Sequence, residues 1–163
     1  MSNDNKTDRH RESRKQMKNL IIGIDCDVDK SGVAFLQEGE LHLFNLTFPQ
    51  LIKSLKDNQE FLKKVVIEAG WLNKSVWHLP QSLSKMSAGQ AHRVGAETGR
   101  RVGMNHCTGK LIAEMCEEMG INYVLVKPTR SKLNAEQFKK MTGYVGQTNQ
   151  ETRDAALLVF GMK

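Results

Sequence analysis

Residues 19–48 constrain the fold more than any other stretch. Three short apolar runs, NLIIGIDC, GVAFLQ and LHLFNLTF, are separated only by DVDKSG and by Glu38-Gly39-Glu40. A parallel connection needs a crossover of about a dozen residues or more. Linkers this short leave only tight turns, so the three runs predict an antiparallel meander.

The first turn also carries Asp25, Asp27 and Asp29 on alternate positions, the way a calcium-binding EF-hand loop begins. Counted from Asp25, such a loop needs Gly at its sixth position and Glu at its twelfth. Here those positions are Lys30 and Leu36, and a β-branched run rather than a helix precedes the loop. The calcium reading fails, leaving a strand with an acid at its end, a turn, and a second strand.

Beyond the meander, Pro49 opens a predicted helix with Leu51, Ile52 and Leu55 at helical spacing, and with Phe61 and Leu62 as candidate extensions of the same face. KKVVIEAG is a short unbroken apolar run of the kind buried on both faces of a sheet. A helical region is expected over much of 88–119, clearest in KLIAEMCEEMG, where Gly120 is a natural stop. INYVLVKP predicts another buried strand, closed by Pro128. A short helix around NAEQFKKM and a terminal helix in QETRDAALLVFGM complete the order βββαβαβα. That order predicts an α/β domain with a mixed five-stranded sheet: strands one to three antiparallel, then parallel strands four and five, with helices on both faces.

The chain has 163 residues, enough for one domain with a single substantial core. Residues 1–18 contain only methionine as an apolar type and are expected to form a disordered basic tail, leaving 19–163 as the folded domain. The tail holds six Lys or Arg against three Asp or Glu, so about half of the net charge of +6 sits there. A positive balance in tail and body suits a polyanionic partner, and equally suits solubility alone. No signal peptide is evident, and no apolar run approaches the roughly 20 residues of a membrane span. A cytoplasmic location is expected, nucleoid-associated in a bacterium or in the host cytoplasm for a virus. Cys26, Cys107 and Cys116 lack C-x-x-C spacing and are expected as reduced thiols rather than zinc ligands or a disulfide framework.

Two apolar strands end in an acid, Asp25 after LIIGI and Glu68 after VVI. Ionised carboxylates at the end of a buried strand are expensive unless compensated. If the two strands are parallel neighbours, both acids emerge together beyond the carboxyl edge of the sheet, where open α/β folds place ligands. Asp154 precedes the apolar run of the terminal helix, with Glu151 one turn earlier on the same face. An all-oxygen set without histidine or thiolate suits Mg²⁺ or Mn²⁺. Two such ions about 4 Å apart activate water and stabilise the leaving oxygen in phosphodiester hydrolysis. Each acid also has a plainer role available. Asp25 could cap its turn, Glu68 could pair with a basic side chain, and Asp154 could answer the helix dipole. Thr148-x-x-Glu151 has the pattern of a capping box. Asp27 and Asp29 are expected to be turn residues facing solvent.

On these residues the chain resembles the RuvC-type Holliday-junction resolvases of the RNase H-like (retroviral integrase) superfamily. GIDCDVDKSGVA resembles the family's first strand and turn, VVIEAG the strand bearing its central glutamate, INYVLVKP its fifth strand, and ETRDAALL its final helix. Together they span most of residues 20 to 160. The resemblance implies a metal-dependent, structure-selective endodeoxyribonuclease, with Asp25, Glu68 and Asp154 as catalytic metal ligands and Glu151 as a fourth, holding two Mg²⁺ or Mn²⁺ ions. It implies a homodimer that nicks a four-way DNA junction symmetrically, leaving 5′-phosphate ends, and it makes Lys132 a candidate for a lysine that follows the fifth strand. The chain departs from the pattern in two places. Cys26-Asp27 stands where many relatives have Pro-Gly, and the segment Trp71–Arg101 is longer than in compact bacterial resolvases. The second departure leaves open an RNase H-like nuclease acting on RNA–DNA hybrid or RNA, or a catalytically inactive nucleic-acid-binding module.

Within that segment Trp71 could stack on bases or fill a satellite of the core. Trp77 reads as packing. Gly95, Gly99 and Gly103 recur every four residues, which suits close packing of a helix on the sheet or on a partner helix, with an irregular loop as the alternative. Arg93, Arg100, Arg101 and Lys110 could grip phosphates or form a solvated helix face. His92 and His106 read as ordinary polar residues.

Overall fold

Successive side chains of the first run point to opposite faces of a sheet, and both faces are buried. A computed structural model describes residues 18–73, 84–129 and 131–163. The expected tail falls outside the described residues except for Lys18, as do Trp77 and Pro80. The first strands are β1 (Leu20–Asp25), β2 (Ser31–Gln37) and β3 (Glu40–Leu46). β1 pairs with β2 and β2 with β3, both antiparallel, as the short turns require. Gln37 and Glu40 face each other across a two-residue loop in which Glu38 and Gly39 both take positive φ, 53° and 87°. That is the turn whose twist matches a hairpin.

Thr47 caps α1 (Phe48–Asp57), its N–H donating to Gln50 Oε1 at 2.9 Å, with Pro49 in the first turn where its missing donor is harmless. α1 ends at Asp57, so Phe61 and Leu62 do not extend its face. Leu62 instead begins β4 (Leu62–Glu68) and enters the core as the first residue of that strand. A short 3₁₀ turn, Gly70–Leu72, follows. Ser87 caps α2 (Ala88–Glu118), a 31-residue helix on the order of 46 Å long, and Gly120 at φ 64° stops it. β5 (Tyr123–Val126), α3 (Ala135–Thr142) and α4 (Gln150–Val159) complete the chain.

β4 lies parallel to β1 and β5 parallel to β4, giving the strand order β3-β2-β1-β4-β5. β5 is therefore an edge strand, and its residues are only partly covered, with Val124 45% exposed. Its apolar sequence had pointed to a strand buried on both sides. On one face Ile22, Ile24, Val65 and Ile67 meet Leu51 and Leu55 of α1 and Ile112 and Cys116 of α2. On the other, Ile21, Ala34 and Val66 meet Phe138 of α3 and Ala155, Ala156 and Val159 of α4.

Two glycines set how closely α4 lies on the sheet. A Cβ at Gly23 would stand 2.2 Å from the Ala155 carbonyl oxygen, and one at Gly32 would stand 2.2 Å from that of Glu151. The glycines of α2 behave differently. Gly95, Gly99 and Gly103 have open space where a Cβ would stand, so within this chain they do not serve close packing. Gly109 does, because a Cβ there would come within 2.5 Å of the Trp71 ring.

Candidate functional site

Parallel pairing of Ile24 with Ile67 makes Asp25 and Glu68 the next residues on adjacent strands, emerging together at the carboxyl edge. Their side chains interact directly, and the contact favours the protonated form of Asp25. Burial first, then the charge and the contact of Glu68, push Asp25 up from 3.8 to about 9. The Asp154 carboxylate acts in the same direction and Lys132 opposes it.

Asp154 is brought in from the opposite side of the sheet by α4, whose seat on Gly23 and Gly32 fixes its first turns against β1 and β2. The residue is only 8% exposed. Gln150 Nε2 donates to its Oδ1 at 2.8 Å, and the Lys132 ammonium donates to its Oδ2. Burial works against the charge on Lys132. The bond to Asp154 and the charges of Glu68, Asp154 and Asp25 outweigh it and raise the lysine. One ammonium thus serves three carboxylates that lie far apart in sequence. Arg153 turns away, as its place on the helix predicts, donating to the Leu133 carbonyl, Thr148 Oγ1 and Gln150 Oε1, each at 3.0 Å.

Glu151 lines the same cleft. The capping box open to it with Thr148 does not form. Asn149 is the N-cap, its Oδ1 accepting from the Thr152 N–H at 2.9 Å while Thr152 Oγ1 accepts from the Asn149 N–H at 3.1 Å. Asn149 won the cap because its side chain completes the reciprocal pair with Thr152. Thr148 instead receives Arg153, and the Glu151 side chain is left to the cleft.

The cleft has a volume of about 510 Å³. Asp25, Glu68, Lys132 and Glu151 form its sheet side, while Glu97, Arg101, Asn105 and His106 of α2 form the facing wall. The donor set is all oxygen, and Lys132 stands among the carboxylates where a positive charge is needed. Both features fit a hard divalent cation. As the side chains stand, however, no group of three His, Cys, Asp or Glu among the described residues is gathered tightly enough to enclose an ion. Asp25 and Glu68 are turned to each other and Asp154 to Lys132, so a shared ion requires Asp154 to exchange its ammonium partner.

The residues considered for nucleic-acid contact are spread along α2 and beside it. Arg93 and Lys110 are exposed. Arg100 is held by Glu97, with Nη2 to Oε1 at 2.7 Å, and Arg101 by Asp29 at 3.0 Å. Trp71 is half-buried against the core, edge-on to His106 with ring centroids 6.3 Å apart, a placement that favours packing over base stacking. Asp27 is not the solvent-facing residue its turn suggested. Its side chain is only 20% exposed and accepts from Asn105 Nδ2 at 3.0 Å. Nothing in the sequence flagged Asn105, because its partner lies 78 residues away. Cys26 packs beside Gly109, and burial followed by the Asp25 and Glu68 charges raises its thiol.

No family model and no curated protein matches the chain. Among solved structures it is similar to T. thermophilus RuvC in complex with Holliday junction substrate, with a TM-score of 0.54 and 11% identity over 87% of this chain and 90% of that one. The fold is RNase H-like. In this RNase H-like domain the central parallel pair, β1 and β4, presents Asp25 and Glu68, and the last helix delivers Asp154 to the same edge. Among the described residues, no helix is long and apolar enough to cross a membrane.

Proposed function

We propose that the protein is a divalent-metal-dependent endonuclease for branched DNA, resolving four-way junctions by paired nicks as a homodimer. One observation carries the reading: Glu68 and Asp154, from the neighbouring parallel strand and the final helix, both act on Asp25, and all three act on the single Lys132 ammonium, beside a cleft that Asp25, Glu68 and Lys132 line. A binding module gains nothing from buried acids of like charge, which weaken the fold and repel phosphate. A hydrolase acting through cations needs them.

Asp25, Glu68 and Asp154, with Glu151 at the rim, would hold the ions. Mg²⁺ or Mn²⁺, when bound, supplies an activated water and neutralises charge on the phosphate and leaving oxygen. Asp25 must give up its proton to become a ligand, so affinity for the cation rises with pH. Lys132 is 42% exposed along its side chain, so it can release Asp154 and swing its ammonium towards a phosphate. The α2 wall confines the substrate to the cleft, and the positive balance of the chain draws DNA to it.

The test is nicking of labelled substrates in Mg²⁺: four-way junction, linear duplex, RNA–DNA hybrid and single-stranded RNA. Paired symmetric nicks in the junction are expected, with Asp25→Asn reducing the rate by at least about 10³-fold, on the scale of losing a group essential to charge stabilisation. Preference for hybrid or RNA would keep the chemistry and change the substrate. No cleavage of any substrate with either Mg²⁺ or Mn²⁺ would remove the proposal.

A further inference from the structure

The turn between β1 and β2 is fastened to α2 by a reciprocal clasp. Asn105 uses both ends of its amide: Oδ1 accepts from the Val28 backbone N–H at 2.9 Å, and Nδ2 donates to Asp27 Oδ2 at 3.0 Å. The other oxygen of Asp27 accepts from the Asp29 N–H at 2.8 Å, so one carboxylate both closes the turn and holds the helix. One helical turn earlier Arg101 reaches Asp29, but those side chains are 60% and 74% exposed, and such surface pairs contribute little. The shielded bonds of Asn105 to Asp27 and to the Val28 backbone are the effective tie.

The clasp joins two parts with different tasks. On one side it lies two residues beyond Asp25. On the other, α2 runs from Ala88 to Met104 without a buried residue, and the first buried one is Thr108. That open stretch includes Glu97 and Arg101, which line the cleft, so a substrate lying in the cleft touches the helix and the carboxylates together. Asn105 joins the end of that open stretch to the turn after β1 through two hydrogen bonds.

We propose that Asn105 is a positioning residue that couples substrate contact along α2 to the placement of Asp25. The inference rests on the nuclease reading above and adds a dependence of the chemical step on a residue whose side chain is bonded to the β1–β2 turn and not to the carboxylates that would hold the ions. Exchanging the two partners tests it. Asn105→Asp sets two carboxylates face to face and opens the clasp. The double variant Asp27→Asn/Asn105→Asp restores a donor and an acceptor to every one of these bonds, with amide and carboxylate exchanged. In single-turnover nicking of a four-way junction, Asn105→Asp is expected to lose about 10- to 100-fold in rate at saturating DNA, the scale of a small misplacement of reacting groups. Its half-saturating DNA concentration should change less than about 3-fold, and the double variant should recover to within about 3-fold of the wild type. Asn105→Ala, which opens the clasp without adding charge, should show the same loss and serves if the aspartate variant does not fold. A role in stability alone would lower the melting temperature and leave the rate per folded molecule unchanged, which overturns the inference, as does a double variant no better than the single. A wild type that nicks beside an equally active Asn105→Asp overturns this inference alone, whereas a wild type that nicks nothing overturns the nuclease reading and this with it.

Discussion

Burial and the neighbouring Glu68 raise Asp25 from 3.8 to about 9, so the folded chain keeps a proton there over an interval in which the unfolded chain releases it. The stability tied to that proton is fully present below about pH 4 and is lost as pH rises towards about 9. At neutral pH and without metal, Asp25→Asn should therefore raise the melting temperature, at on the order of 2–4 °C per kcal/mol for a chain of this size. Mg²⁺ should stabilise the wild type and leave the variant nearly unmoved, because a ligand stabilises only the form that binds it. Differential scanning calorimetry of both proteins in EDTA and in Mg²⁺ checks this, and an Asp25→Asn variant less stable in EDTA would contradict it. The meeting of Asp25, Glu68 and Asp154 was legible in the sequence because a carboxylate bordering an apolar run is an anomaly visible locally. Asp27, Asn105 and the central place of Lys132 were not, since each acquires its partner only when distant segments meet.

Elements with strong periodicity and clear stops were legible as well, among them the meander, the parallel pair β1–β4 and the end of α2 at Gly120. Misreadings arose where one pattern served two structures. Leu62 fits either a helix face or the start of a strand, and an apolar edge strand resembles a central one. The spaced glycines of α2 have no close neighbour within this chain, so the sheet packing they suggested falls to others, and Gly23 and Gly32, which seat α4, sit singly in strands. Gly23→Ala would drive a methyl group into the Ala155 carbonyl and lift α4, which carries Asp154. We expect a loss of about 1–3 kcal/mol, the usual cost of overpacking, together with a fall in nicking rate larger than the fraction unfolded explains. Chemical denaturation paired with activity per folded molecule measures both. Unchanged activity with lowered stability would show that the seat of α4 matters to the fold alone.

At the scale of the whole molecule, the carboxylate cluster is a negative centre in a chain of net charge +6. Junction binding should weaken steeply with salt, log affinity falling by about 0.9 for each phosphate neutralised per decade of salt. Deleting residues 1–18, which carry about half of that charge, should flatten the dependence without altering the rate at saturating DNA. A titration of binding against salt for both forms reads the difference, and equal slopes would mean that the body alone contacts DNA. The most direct measurement concerns the metal itself: a crystal grown in Mn²⁺ and examined by anomalous scattering. We expect a peak within about 2.5 Å of oxygens from Asp25, Glu68 and Asp154, with Lys132 moved off Asp154. A crystal saturated with Mn²⁺ that shows no ion in the cleft, with Lys132 still on Asp154, would contradict it.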